Sequence, residues 1–148
     1  MRAAFRYLTS VLFVAIVVQV ALAAFGAFDA VHKSEHAPIA HKTIDNGFGA
    51  HILLGYIIIL VMLALLIVAA AGRLGPTPIR FAAALLVAGI IQAILGSISE
   101  NAPAVGVLHG LNALVIYALS GLLTHRMWTA ERAGTGLKRE SAATVAGR

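Results

Sequence analysis

Phe48-Gly49-Ala50-His51-Ile52-Leu53-Leu54-Gly55-Tyr56 opens a stretch that runs to Gly72 without a Lys, Arg, Asp or Glu. About 20 apolar residues in helical form cross a bilayer core of about 30 Å, so this stretch predicts a membrane-spanning helix. Three more charge-free runs extend from Tyr7 to Phe28, Phe81 to Ser99 and Ala102 to Thr124. Of the 148 residues, 60% are hydrophobic and only 11% charged, against about 25% charged in a soluble domain. Lipid leaves no partner for unpaired backbone groups, so a chain crosses it as helices or as a closed barrel, and nothing here alternates as barrel strands do. The prediction is an all-α, integral membrane four-helix bundle in the lipid bilayer. Its helices fall at about 7–28, 48–72, 79–99 and 104–125, and the bundle forms one domain over residues 1–128.

The net charge of +5 reports topology rather than an affinity for nucleic acid. Arg2 and Arg6 precede the first helix, Arg73 and Arg80 flank the middle loop, and Arg126, Arg132, Lys138 and Arg139 follow the fourth helix. In the 28–47 loop, Lys33 and Lys42 are offset by Asp29, Glu35 and Asp45, and the 99–103 loop carries only Glu100. The positive-inside rule therefore places both termini and the middle loop in the cytoplasm of a multi-pass cell-membrane protein. Arg2, Arg6 and the small residues Ala21-Leu22-Ala23 also fit a secretory leader, but the first apolar run is longer than a leader's usual apolar core of about 7–15 residues. Trp128 suits an interfacial anchor. The tail over 129–148 is polar and reads as disordered. Cysteine is absent, which excludes disulfides and thiolate ligands.

Ionisable side chains inside a span are costly, and they point to function. His51 and His109 sit at matching depth near the starts of the second and fourth runs, and antiparallel neighbours make those two helices parallel. Val17-Val18-Gln19-Val20-Ala21-Leu22 also matches Ile90-Ile91-Gln92-Ala93-Ile94-Leu95. The chain thus reads as two Gln/His helical hairpins related by a pseudo-twofold axis, with a site at the repeat interface. Two imidazoles facing each other from rigid helices suit the axial positions of a heme iron. Gly55 and Ala113, one turn beyond each histidine, share its face and leave room for a flat macrocycle. Gly47, Gly49, Gly106 and Gly110 thin the helix ends, and Gln92, Asn112 and Tyr117 lie within reach of a cofactor. Lys33 and Lys42 suit its propionates, and the second nitrogen of each imidazole calls for an acceptor such as a backbone carbonyl. The plainer reading makes both histidines interfacial residues bonded to water or carbonyls, with Gln19 and Gln92 as interhelical glue and His125 at the cytoplasmic interface.

Gln92-Ala93-Ile94-Leu95-Gly96, a short loop ending near Pro103, and then Leu108-His109 resemble the third and fourth helices of one four-helix half of heme A synthase. Residues from about 7 to 126 can be laid on that half. In length the chain is similar to an uncharacterised family of small bacterial four-helix membrane proteins. The resemblance to heme A synthase implies a bis-histidine heme site on the second and fourth helices, at His51 and His109. It also implies a glutamate shortly before the first histidine of the catalytic half and an arginine after it. Here Phe48 and Gly49 precede His51 and Ile52 follows, so the implied role is holding heme rather than oxidising it.

Two function classes follow. One is a heme b protein for electron transfer or heme handling, alone or as a homodimer. The other is a cofactor-free accessory or scaffold subunit packed against other membrane subunits of a respiratory-type complex. No nucleophile, carboxylate pair or general base lies inside the spans, which argues against an independent enzyme. His32, Glu35, His36 and His41 are ligand types for Zn or Cu, but their spacing matches no dedicated motif and Lys33 and Lys42 oppose a cation. A lid over the bundle mouth or a solvated loop are the other readings of that segment.

Overall fold

A computed structural model describes residues 1–34 and 41–146, with side chains throughout except at 41, 43 and 135–146. The backbone is all-helical: α1 (Arg2–Ser34), α2 (His41–Ala71), α3 (Pro76–Ser99) and α4 (Val105–Ala146). All four helices are long and apolar enough to cross a membrane. Consecutive helices pack side by side, and α1 closes the bundle against α4.

The helices run past the charge-free stretches at several ends. A charge-free run marks the part of a helix suited to lipid, whereas the helix itself ends where backbone hydrogen bonding ends. The turns before Tyr7, after Phe28 and before Phe48 are helical as well, so residues 28–34 and 41–47 belong to helices rather than to a loop. Beyond Trp128, α4 stays helical to Ala146 instead of giving way to irregular chain. The Ala, Glu, Arg and Leu content of that stretch favours helix.

The middle turn is short and its geometry is specific. Arg73 takes a left-handed φ of 48°. Leu74 N–H donates to Ala69 O at 3.1 Å and Arg73 N–H to Ala70 O at 3.0 Å, which is a Schellman closure of α2. Gly75 follows at φ 100° and Pro76 opens α3, where a fixed φ and a missing N–H do no harm.

The core occupies one half of the bundle, the end that holds the chain termini and the 72–75 turn. Phe5, Leu12, Ile16, Met62, Leu65, Ala69, Ala82, Leu85 and Leu123 are buried there. Across the α1–α4 seam at the same end, Thr124 Oγ1 donates to Thr9 O (3.0 Å) and Trp128 Nε1 to Ser10 Oγ (3.0 Å). Arg6 pairs with Glu131, and its guanidinium lies over the rings of Trp128 (4.5 Å) and Tyr7 (4.9 Å). Trp128 is therefore a clasp between α1 and α4.

The opposite end, which carries the histidines, is organised differently. Contacts there tie each hairpin to itself. In α1–α2, Gly26 and Gly47 meet closely: a Cβ at Gly26 would stand 2.9 Å from the Phe48 ring, and one at Gly47 3.0 Å from Asp29 Oδ2. In α3–α4, a Cβ at Gly96 would stand 3.3 Å from His109. The two hairpins are packed at the terminus end and enclose a cavity at the histidine end.

Candidate functional site

That cavity has a volume of about 410 Å³ and is walled by all four helices. Its lining is mostly apolar, including Ile16, Ile58, Met62 and Ile116, with His51 and His109 on facing walls. The two imidazole centres are 6.4 Å apart and their planes are inclined at 58°.

Both rings are oriented in the same way. His51 Nδ1 lies 3.0 Å from Gln19 O, and His109 Nδ1 lies 3.1 Å from Gln92 O. A carbonyl can only accept, so each Nδ1 carries the hydrogen and each Nε2 keeps its lone pair. Fixing one ring nitrogen on a carbonyl is how proteins set the tautomer of a metal-binding histidine. Phe48 packs edge-on against His51, with centroids 6.2 Å apart.

The glutamines hold the hairpins together. Gln19 Nε2 donates to His51 O at 2.8 Å, while its Oε1 is buried with no hydrogen-bond partner. Gln92 Oε1 accepts from Asn112 Nδ2 at 2.7 Å, and Asn112 also donates to Ala88 O at 2.9 Å.

The residues singled out from the sequence divide into three groups. His51, His109, Gly55, Ala113, Gln92 and Gly110 line the cavity. Asn112 is directed at α3, where it ties the helices together, and Tyr117 packs on Phe13 with centroids 5.3 Å apart. Gly55 does more than clear space, because a Cβ there would stand 3.1 Å from Gln19 Nε2. Lys33 is held by Asp29 at 2.7 Å, Lys42 and His125 are exposed, and Glu35, His36 and the His41 side chain fall outside the described residues. Gly96, Ser97 and Glu100, which the sequence did not single out as site residues, also sit on the cavity wall. The Gln-His repeat pointed toward them, since it sets α3 beside His109.

Among the described residues no three of His, Cys, Asp and Glu come together as a metal-binding group. His51 and His109 thus form no three-residue group with another His, Cys, Asp or Glu among the described residues. Comparison with family models, with curated proteins and with solved structures found no match to the chain.

Proposed function

We propose that the chain is an integral membrane protein that binds heme b between His51 and His109, near the outer leaflet, for electron transfer or heme handling. The observation that carries this reading is the matched pair of imidazoles. Each is fixed through Nδ1 on a carbonyl of its own hairpin, and their centres are 6.4 Å apart. Two imidazoles sharing one metal through bonds of about 2 Å place their ring centres about 6 Å apart. The donor set also fits, because heme brings four equatorial nitrogens and asks the protein only for axial ligands. The cavity volume lies within the usual range for small-molecule sites, about 300–1,000 Å³.

Gln19 O and Gln92 O orient the rings, Gln19 and Asn112 lock the helix pairs, and the apolar walls keep water from the iron. Gln19 O with His51 and Gln92 O with His109 also support a pseudo-twofold relation between the hairpins. Bound there, heme would supply one-electron chemistry, with His51 and His109 as the residues that would hold it. Orientation follows the charges, with the Arg-rich terminus end in the cytoplasm.

The test is a heme-replete expression followed by detergent purification. The expected result is a Soret band with a low-spin spectrum and a heme b hemochrome, altered in His51→Ala and in His109→Ala and lost in the double variant. A folded, colourless protein that co-purifies stoichiometrically with other membrane subunits overturns this reading in favour of the accessory role.

A further inference from the structure

The terminus end of the bundle carries positive charge that the fold leaves uncompensated. Arg73 sits in the turn between α2 and α3, Arg80 near the start of α3 and Arg126 on α4. All three side chains are exposed, and none of their guanidinium groups makes a hydrogen bond or an ion pair among the described residues. The first turn of α3 holds no acidic residue. Among the described side chains the carboxylate at this end, Glu131, is already held by Arg6.

Two features show that these arginines are placed rather than scattered. The Arg126 guanidinium lies over the Phe81 ring, 5.2 Å from its centroid, and Phe81 in turn packs against the buried core. Arg80 leaves α3 one residue before Phe81, so Arg80 and Arg126 stand at one level on helices that pack together. Arg73 takes its left-handed φ of 48° at the end of α2, a position where glycine is usual because a Cβ is strained there. The chain carries an arginine at that position despite the backbone cost.

Helices long enough to cross a bilayer put their end residues at the level of the headgroups. A guanidinium pairs with phosphate through parallel N–H donors. A zwitterionic lipid brings its own cation to that phosphate, whereas an anionic lipid brings an unbalanced charge. Resting on the reading of the chain as an integral membrane protein, and independent of any heme, we propose that Arg73, Arg80 and Arg126 form a binding surface for the headgroup of an anionic phospholipid. Arg80 and Arg126 hold the phosphate at the mouth of the α3–α4 seam, and Arg73 adds charge from the α2–α3 turn.

The experiment titrates the full chain in detergent with phosphatidylglycerol or phosphatidylcholine and counts bound lipid by native mass spectrometry, with inorganic phosphate as competitor. The expected result is preferential retention of phosphatidylglycerol that inorganic phosphate does not displace. An arginine near an anionic surface is worth about five-fold in affinity, so Arg80→Gln/Arg126→Gln should bind phosphatidylglycerol about 25-fold more weakly, with phosphatidylcholine unaffected. Arg80→Gln alone, which breaks no contact of the fold, should cost about five-fold. Lys42→Gln, an exposed charge at the opposite end, should bind as wild type does. Equal retention of the two lipids overturns the proposal, as does wild-type affinity in the double variant. Displacement by inorganic phosphate overturns it in favour of a site for the free anion. A chain that stays soluble without detergent overturns instead the membrane reading on which the proposal rests.

Discussion

Gly96→Val tests the site through one atom-sized clearance. A Cβ at position 96 would lie 3.3 Å from His109 Cε1 and 3.4 Å from Nδ1, already inside the optimal separation of about 3.5–4.0 Å. Alanine there asks the ring to give by a few tenths of an ångström. The methyls of valine stand about 1.5 Å further out, so a methyl on the ring side would force a displacement of about 1 Å or more. Metal–ligand distances tolerate about ±0.2 Å, and the Nδ1 contact to Gln92 O is already 3.1 Å long. Valine should therefore break the orienting bond and, on the proposed heme reading, draw His109 away from the iron. Loss of such an outer partner weakens metal binding by about 10–100-fold. Hemin titration of the purified apoprotein and the low-spin spectrum read the effect. Gly96→Ala should fall between wild type and Gly96→Val. Gly49→Val serves as control, because a Cβ at Gly49 meets nothing within 4 Å. Wild-type affinity and an unchanged low-spin spectrum in Gly96→Val would refute the argument that this clearance positions the ligand.

Asn112→Leu removes the bonds to Ala88 O and Gln92 Oε1. It should lower resistance to denaturation in detergent by about 1–2 kcal/mol while the heme spectrum stays low-spin. Arg6→Ala removes the ion pair with Glu131 and the cation–π contact with Trp128 that reach α4, together with a local one on Tyr7, each cation–π contact worth about 0.5–2 kcal/mol. It should reduce the melting temperature and leave the Soret band in place, because Gln19 lies about 20 Å further along α1. The chain has no cysteine, so single substitutions label without background. An impermeant maleimide should modify Asn101→Cys in intact cells and Thr77→Cys only after lysis, and the reverse pattern would overturn the orientation.

Four apolar helices were legible because charge marks their limits: Arg6, Asp29, Arg73, Arg80, Glu100 and Arg126 bracket the runs. Their true ends were not, because a polar turn continues a helix as readily as an apolar one. The placement of His51 and His109 at one level followed from their distance to those charges and from antiparallel connection. What escaped the sequence depends on interhelical register. Gly96 matters because His109 lies against it, and Glu100 because α3 reaches the cavity rim. Asn112 shows the converse: three residues after His109 it shares roughly the same face, yet its amide is taken up by α3. Tyr117 is likewise drawn away by Phe13, a partner 104 positions earlier in the chain.

The division of contacts explains how so sparse a sequence can specify a site. Each histidine is oriented inside its own hairpin, on Gln19 O or Gln92 O, so its ring is set by helices that are neighbours in sequence. The spacing between the rings is set elsewhere, by Thr9 with Thr124, Ser10 with Trp128, and the buried Leu12, Leu65 and Leu85. Orientation and separation are therefore controlled by different residues. Changes at Gln19 or Gln92 act on one ligand at a time. Changes in the terminus-end core act on the gap between both ligands without touching either. A bulky substitution at Gly89, where a Cβ would stand 2.6 Å from Met62 Sδ, falls in the second class, since it crowds buried Met62 and presses α2 from α3 at the cavity wall. On the proposed heme reading, its signature would be a loss of both histidine bonds to the iron together, with both rings still bound to their carbonyls, which no single-histidine lesion produces.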